Sequence, residues 1–438
     1  MAVTKRKLLE KMLSLMARAV LRKHRPFIVG ITGSVGKSST KEAIALVLSG
    51  SYNVRKSEGN YNNEIGIPLT IIGAKSGGGS LVGWVGVCFR WLWVMVFPSR
   101  YPEMLVLEMG IDRPGDMERL MRFVPLQIAV VTNIGASHLE FFGSIANIAK
   151  EKSRIVCGLP EGGFAVLNAD DKRVLKMREK TDAKTITYGF DGDAQMRADN
   201  LLFHRDAKRV EGFSFKLNYD GKSIPVRLPK IVAKYHIGAV LAAAAVGVAL
   251  KMNLVEIAGA LEAFEPLPGR LRLLPGRNAM ILLDDTYNAS PASTEAALSV
   301  VQELIAPRKV VILGDMLELG VDTEETHRKL ADRVVASGAH VAILAGQHMR
   351  ALYDELLARG FSRKYVLWLP DPLSARQIIL DTVRPEDLIL IKGSQGMRME
   401  KITEILLAEP KDRAVLLCRQ TPQWQQKPFI PPTEWSAI

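Results

Sequence analysis

The sequence is poor in residues that usually announce a function. Its three cysteines, Cys88, Cys157 and Cys418, stand far apart in 438 residues. That excludes a disulfide framework and zinc-ligand spacing, and suits a reducing compartment where buried thiols act as small apolar groups. No helix-turn-helix, zinc-finger or aromatic RNA-binding motif occurs. The net charge of +12 is therefore assigned to nucleotides, phosphorylated substrates or acidic lipid surfaces ahead of nucleic acid. No apolar run reaches the roughly 20 residues that span a bilayer. The basic N-terminus has no apolar core of a signal peptide behind it, so a cytoplasmic protein is expected. Low-complexity runs and internal repeats are also missing. With 48% hydrophobic and 24% charged residues, the chain reads as folded and long enough for two or three domains.

What is present is mostly strand–helix alternation. Residues 5–23 read as an amphipathic helix: Leu8, Leu9, Met12, Leu13, Met16 and Val20 recur at helical spacing, with Lys7, Lys11, Arg18 and Arg22 elsewhere on the wheel. From Phe27, short apolar segments such as "PFIVGIT", "MLVLEMG", "IAVVTNIG", "KVVILGDM" and "LILIKGS", each running into polar or glycine residues, read as strands that alternate with helical stretches. This predicts an α/β protein: a P-loop central domain with a mainly parallel sheet, then a Rossmann-like α/β C-terminal domain. The boundaries expected are 1–25 for the basic helix, 26–267 for the central domain, 268–410 for the C-terminal domain and 411–438 for an extended, proline-rich tail. One segment fits neither domain. Residues 81–97, "LVGWVGVCFRWLWVMVF", contain a single charge, Arg90. They read as a buried helix or hairpin, or as a Trp-rich contact with a membrane interface or lipid substrate.

The chemistry-bearing residues lie at strand ends. Gly33-Ser34-Val35-Gly36-Lys37-Ser38 places backbone N–H groups and a helix N-terminus where phosphate oxygens could sit, with Lys37 for the phosphates and Ser38 for Mg²⁺. The strict phosphate-loop pattern is broken at Ile31. "EGNYNNE" (58–64) packs five amide or carboxylate side chains into seven residues and reads as a substrate- or phosphate-contacting loop. Glu108 and His138 each follow an apolar strand, and suit divalent-metal and proton-transfer work beside a triphosphate. By pattern alone Lys152 is ordinary helix surface charge.

Taken in order, "TGSVGKSSTKE", "GNYNNEIGIPLT", "LEMGIDRPGDM", "TNIGASHLEFFGSIANIAKEK", "LNADD", "DDTYNASPASTEAAL", "LGDMLELG" and "KGSQGMRME" resemble the Mur ligase family. They are most similar to its branch that adds D-alanyl-D-alanine to the UDP-N-acetylmuramoyl-tripeptide of peptidoglycan. The resemblance implies an ADP-forming amide ligase that activates a carboxylate as an acyl phosphate for attack by an amine. It implies nucleotide contacts from Thr32, Gly33, Ser34, Val35, Gly36, Lys37, Ser38, Ser39 and Asn133, with Lys37, Glu108, His138 and Lys152 as the catalytic set. Two Mg²⁺ ions would be held by Ser38, Glu108, His138 and Lys152, the last as a carbamate formed with CO₂. Arg270 would reach the nucleotide phosphates, Asp285 its ribose, and Tyr287 and Asn288 the neighbouring surface. Asn60, Tyr61, Asn62, Asn63, Asp315 and Lys392 would meet the substrates, a muramyl-peptide-like acceptor and an amino acid or dipeptide donor. A monomer is expected.

Three departures qualify this expectation. Only about 25 residues precede the first strand, where the family has a domain that grips the UDP-sugar. His236-Ile237-Gly238-Ala239-Val240 replaces the family's adenine-contacting pattern without either asparagine. Residues 81–97 have no counterpart in it. Together the first helix and 81–97 suggest peripheral contact with the inner face of a membrane and a lipid-linked acceptor. A glutamate ligase acting on folate and a P-loop switch without ligation remain alternatives.

Overall fold

The computed structural model describes residues 2–59, 61–97, 100–135, 139–205, 210–372, 376–427 and 429. It forms two units: Met1–Leu202 with Ser214–Leu228 and Lys234–Phe264, and Phe203–Phe213 with Pro229–Ala233 and Glu265–Ile438.

In the first unit β1 (Phe27–Thr32), β2 (Val54–Lys56), β3 (Met104–Glu108), β4 (Ile128–Val131), β5 (Phe164–Asn168) and β6 (Lys184–Gly189) are followed by β7 (Met196–Arg205), β8 (Val210–Tyr219) and β9 (Lys222–Leu228). The sheet order is β2-β3-β1-β4-β5-β6-β7-β8-β9, and pairings from β2 through β6 are parallel. Strands β1, β3 and β4 are almost wholly buried, as expected for a parallel sheet covered on both faces. Register pairs Ile31 with Glu108 and Thr32 with Val131. The carboxyl ends of the three central strands therefore lie side by side, where α/β sheets carry their ligands.

Five helices matter for the site and its surroundings: α1 (Ala2–His24), α2 (Lys37–Ser49), α3 (Gly66–Ile72), α4 (Leu81–Val96) and α5 (Asp116–Met121). The first is slightly longer than its periodicity implied. It is also part of the core, because Leu13, Met16, Ala17, Val20 and Leu21 are buried against the first unit. Residues 81–97 are not a hairpin, nor a fully buried helix. They form α4, which buries Val87 and Val94 and leaves most other side chains exposed.

The second unit has a six-stranded sheet of β10 (Arg272–Pro275), β11 (Ile281–Asp285), β12 (Lys309–Gly314), β13 (Val341–Ala345), β14 (Val366–Leu369) and β15 (Leu388–Lys392). Its order is β10-β11-β15-β12-β13-β14, parallel except for β10. Two expectations are corrected. The segment after residue 410 is not simply extended, for Arg413–Leu416 and Pro422–Gln425 are short helices, the latter started by the Thr421 side chain and a proline in its first turn. Of the cysteines only Cys418 is buried; Cys88 and Cys157 are exposed.

Candidate active site

Two glycines shape the turn after β1. A Cβ on Gly33 would lie 1.8 Å from Thr132 Oγ1, so a larger residue would displace the Thr132 side chain that ties β4 to the turn. Gly36 starts α2 in the left-handed region, with φ of 85°, which glycine adopts without steric cost. Thr32 ends the strand and donates its hydroxyl to the Met109 carbonyl at 2.9 Å. The Thr132 hydroxyl donates to the Val35 carbonyl at 2.6 Å. Asn133 Oδ1 accepts from the Ser34 and Val35 amides at 3.1 and 2.7 Å. Asn133 is thus a strut of the loop, with its oxygen engaged by backbone. Ser34 ties the loop to Gly135 by donating to its carbonyl and accepting from its amide. Val35 is exposed at the tip, and Ser39 is buried in the first turns of α2.

Two ammonium groups gather on one backbone oxygen. Lys37 Nζ and Lys152 Nζ each donate to the Gly33 carbonyl at 2.9 Å. Lys152 comes from the helix Ile145–Cys157, which Ser144 caps, and its side chain is buried. Burial, reinforced by the charge of Lys37, lowers its pKa to about 7. It is therefore not the surface lysine that its sequence context suggests.

Next to the loop, Ser38 Oγ donates to Glu108 Oε2 at 2.9 Å. The Asn62 amide lies 3.4 Å from Glu108 Oε1, and the buried Lys41 ammonium 3.8 Å from Oε2. A hydroxyl and a carboxylate oxygen this close, at a strand end beside a phosphate-type turn, fit Mg²⁺, which takes few protein oxygens and completes its shell with phosphates and water. Among the described residues no group of three or more His, Cys, Asp or Glu side chains comes together to hold a metal ion. His138 and Asn60 lie outside the described residues.

The rest of the 58–64 loop divides. Tyr61 is half-buried and its hydroxyl accepts from the Ser76 amide at 2.9 Å. Asn63 Oδ1 accepts from the Ile65 and Gly66 amides, so its carbonyl oxygen starts α3. Among the described residues of the loop, Asn62 is the one whose side chain reaches Glu108. Lys41, Thr132 and Asp171 carry structural work that pattern reading did not single out. Asp171 Oδ2 accepts from the Ile134 amide at 2.7 Å and so fixes the loop beyond β4.

In the second unit, Asp285 and Lys392 are register partners on β11 and β15. Lys392 Nζ lies 2.5 Å from Asp285 Oδ2 and 2.9 Å from the Asn288 carbonyl. Full burial lowers the lysine pKa, and Asp285 opposes the shift. Asp315, one residue beyond β12, is near the same strand ends, but its carboxylate accepts from the His348 and Met349 amides. It is thus bound to the start of the helix Met349–Ala358, and burial raises its pKa to about 6. Arg270 stacks on the Tyr287 ring at 4.1 Å, and Arg419 lies over the same ring at 5.2 Å. Asn288 Oδ1 accepts from the Gln395 amide at 3.3 Å.

Comparison with known proteins matches both units. A model described as the Mur ligase middle domain matches residues 31–82 and 94–247, and one described as the Mur ligase glutamate ligase domain matches 269–395. The match to the first breaks within α4. The UDP-N-acetylmuramoyl-tripeptide–D-alanyl-D-alanine ligase of Bacillus subtilis (strain 168) is 30% identical over 396 residues, 90% of this chain and 79% of that protein. The protein of the same name from Escherichia coli (strain K12) is 30% identical over 379 residues, covering 86% and 76% of the two chains. The solved structure of MurF from Thermotoga maritima in complex with ADP is similar in fold, with a TM-score of 0.72 at 24% identity over 92% of this chain and 85% of that one.

Proposed function

The chain belongs to the Mur ligase family and is an ATP-dependent ligase that forms C–N bonds; from that premise we propose that it joins D-alanyl-D-alanine, or a similar amine, to the terminal carboxylate of a muramyl-peptide precursor. The acceptor carboxylate oxygen attacks the γ-phosphorus of ATP and ADP departs. The donor amine then attacks the acyl carbon, the tetrahedral adduct loses phosphate, and the amine gives up a proton. Positioning and charge neutralisation supply most of the catalysis in such a sequence.

The observation that carries this reading is the meeting of Lys37, Ser38, Glu108 and Lys152 around one glycine turn. Lys37 balances phosphate charge. Ser38 and Glu108 would hold a first Mg²⁺, and His138 with a carbamate on Lys152 would hold a second; such ions would supply neutralisation of charge developing on phosphoryl oxygens. For the carbamate, the neutral amine of Lys152 adds to CO₂, forms an N–C bond and releases a proton. A pKa near 7 keeps a large share of that amine neutral in the neutral range, where an ordinary lysine has almost none. Asp285 and Lys392 form a rigid charged pair at the strand ends of the second unit. The enzyme acts as a monomer.

The test is product analysis with ATP, D-alanyl-D-alanine and UDP-linked muramyl-tripeptide. The expected product is heavier by the dipeptide less one water, formed with one ADP. ADP formation without an amide product would favour a nucleotide switch. A lipid-linked acceptor, handled by an enzyme peripherally bound through 1–25 and 81–97, is a second reading, favoured by the exposed apolar side of α4.

A further inference from the structure

Helix α4 is held by one face only. Trp84, Val87, Trp91, Val94 and Met95 recur at helical spacing and pack on the core of the first unit. Trp91 Nε1 donates to the Met16 carbonyl at 3.1 Å, and Lys23 Nζ donates to the Val94 and Met95 carbonyls at 3.0 and 2.8 Å. A cation from α1 thus closes the negative end of α4 and fixes it beside α1. The opposite face carries Val82, Val85, Phe89, Leu92, Trp93 and Val96, every one exposed, Phe89 at 69% and Trp93 at 53%. An outward face this uniformly apolar along a whole helix marks an interaction site, not a solvated surface.

Charge identifies the occupant. Residues 65–102 contain no Asp or Glu, so no carboxylate from this stretch opposes an anion. The region is basic: Arg90 is exposed on α4, Arg100 follows it, and Lys7, Lys11 and Arg22 are exposed on α1, the helix that packs beside α4. The one carboxylate of α1, Glu10, is engaged with Arg6 at 2.9 Å. Leu8, Met12 and Leu15 add exposed apolar groups on α1. On the helical wheel these lie on the flank that Met16 and Lys23 turn toward α4. A cavity of about 650 Å³ past the end of α4 is lined by His24, Arg25 and Arg100 together with one carboxylate, Glu103, which accepts from the Asn53 amide. No helix among the described residues is long and apolar enough to cross a membrane.

We propose that α4 lies in the plane of an anionic lipid surface, its Val82–Phe89–Trp93–Val96 face sunk among the upper acyl chains, with the cations of α1, Arg90 and Arg100 on lipid phosphates. An in-plane helix needs this combination of an apolar face and a basic surround. The inference deepens the lipid-linked reading above and stands on it. It specifies an insertion face, whereas that reading requires only that the enzyme meet the membrane.

The test uses the full chain with vesicles of phosphatidylglycerol diluted in phosphatidylcholine, against pure phosphatidylcholine. Three measurements are made: co-sedimentation, Trp fluorescence quenching by acyl-brominated lipid, and the oligomeric state without lipid. The variants are F89S/W93S, W93F and K7E/K11E/R22E, all exposed positions outside the ligase site. The wild type is expected to bind the anionic vesicles and to be quenched, with less quenching in W93F. F89S/W93S should lose about 30-fold or more in partitioning, as expected for withdrawing two large side chains from an apolar phase. K7E/K11E/R22E should bind the anionic vesicles weakly even at low salt, whereas wild-type binding should fall as salt screens its cations. Turnover on a soluble acceptor should be unchanged in every variant. Absence of vesicle binding would overturn both the inference and the membrane reading. Binding that depends on the cations but ignores F89S/W93S, with no quenching, would overturn the inference alone. So would a lipid-free dimer abolished by F89S/W93S.

Discussion

At the scale of single residues, Lys152 separates what pattern shows from what folding creates. In sequence it sits among Lys150, Glu151 and Arg154 and looks like solvated charge; its importance came only from family resemblance. The fold buries it beneath Gly33 and lowers its pKa to about 7. The linkage sign follows. Between pH 7 and the unfolded value near 10.5 the unfolded chain holds a proton that the folded chain lacks, so this residue's contribution to stability rises with pH across that window. Below pH 7 the full burial penalty remains. Carbamate formation needs the same neutral amine. Isotope-labelled bicarbonate should therefore give a carbonyl NMR signal that grows as pH rises through about 7 and is missing in Lys152→Ala. The buried pair Asp285–Lys392 makes a second prediction. Lys392→Ala leaves a carboxylate buried without its cation and should cost about 3–5 kcal/mol in chemical denaturation. Replacing both partners by apolar residues of similar volume should recover most of that loss. Resemblance gave Asn63 and Asp315 substrate roles, and in the fold their side-chain oxygens accept from backbone amides at helix starts. A short polar side chain before a helix has both uses open to it, and sequence spacing does not distinguish them.

At the scale of elements, the strands and the glycine turn were legible because their signals are local. Short apolar runs ending in polar or glycine residues became β1, β3, β4, β12 and β15, each strand one to four residues shorter than the run that announced it. Gly33 had to be glycine because Thr132, a hundred residues away in sequence, fills its side-chain space. Gly33→Ala should distort the turn and abolish binding of a fluorescent ATP analogue while most of the far-ultraviolet circular dichroism is kept. If this variant bound the analogue as tightly as the wild type, the turn would not be the phosphate site. Helix α4 was less legible. Its composition is apolar throughout, so periodicity could not show which face would be covered. Only its contacts with α1 and α3, which depend on the tertiary fold, separate the buried face from the exposed one. The tail failed for a similar reason. Its prolines suggested extension, whereas Pro422 starts a short helix and Arg419 anchors the segment over Tyr287.

At the scale of the molecule, the chain forms two units with mainly parallel sheets, and the two Mur ligase matches cover residues 31–82, 94–247 and 269–395. The curated relatives extend beyond the region shared with it, which covers 79% of the Bacillus subtilis protein. Reaction type is thus carried by the shared part, and the acceptor is decided by experiment. A net charge of +12 suits phosphate-bearing substrates of either kind. The central claim is that ATP activates a carboxylate as an acyl phosphate. It is tested most directly with an acceptor whose terminal carboxylate carries heavy oxygen, followed by mass analysis of the phosphate released during ligation. The account predicts that one labelled oxygen passes from the acceptor into each phosphate, and only when the amine donor and acceptor are both present. Unlabelled phosphate accompanying amide formation would contradict it.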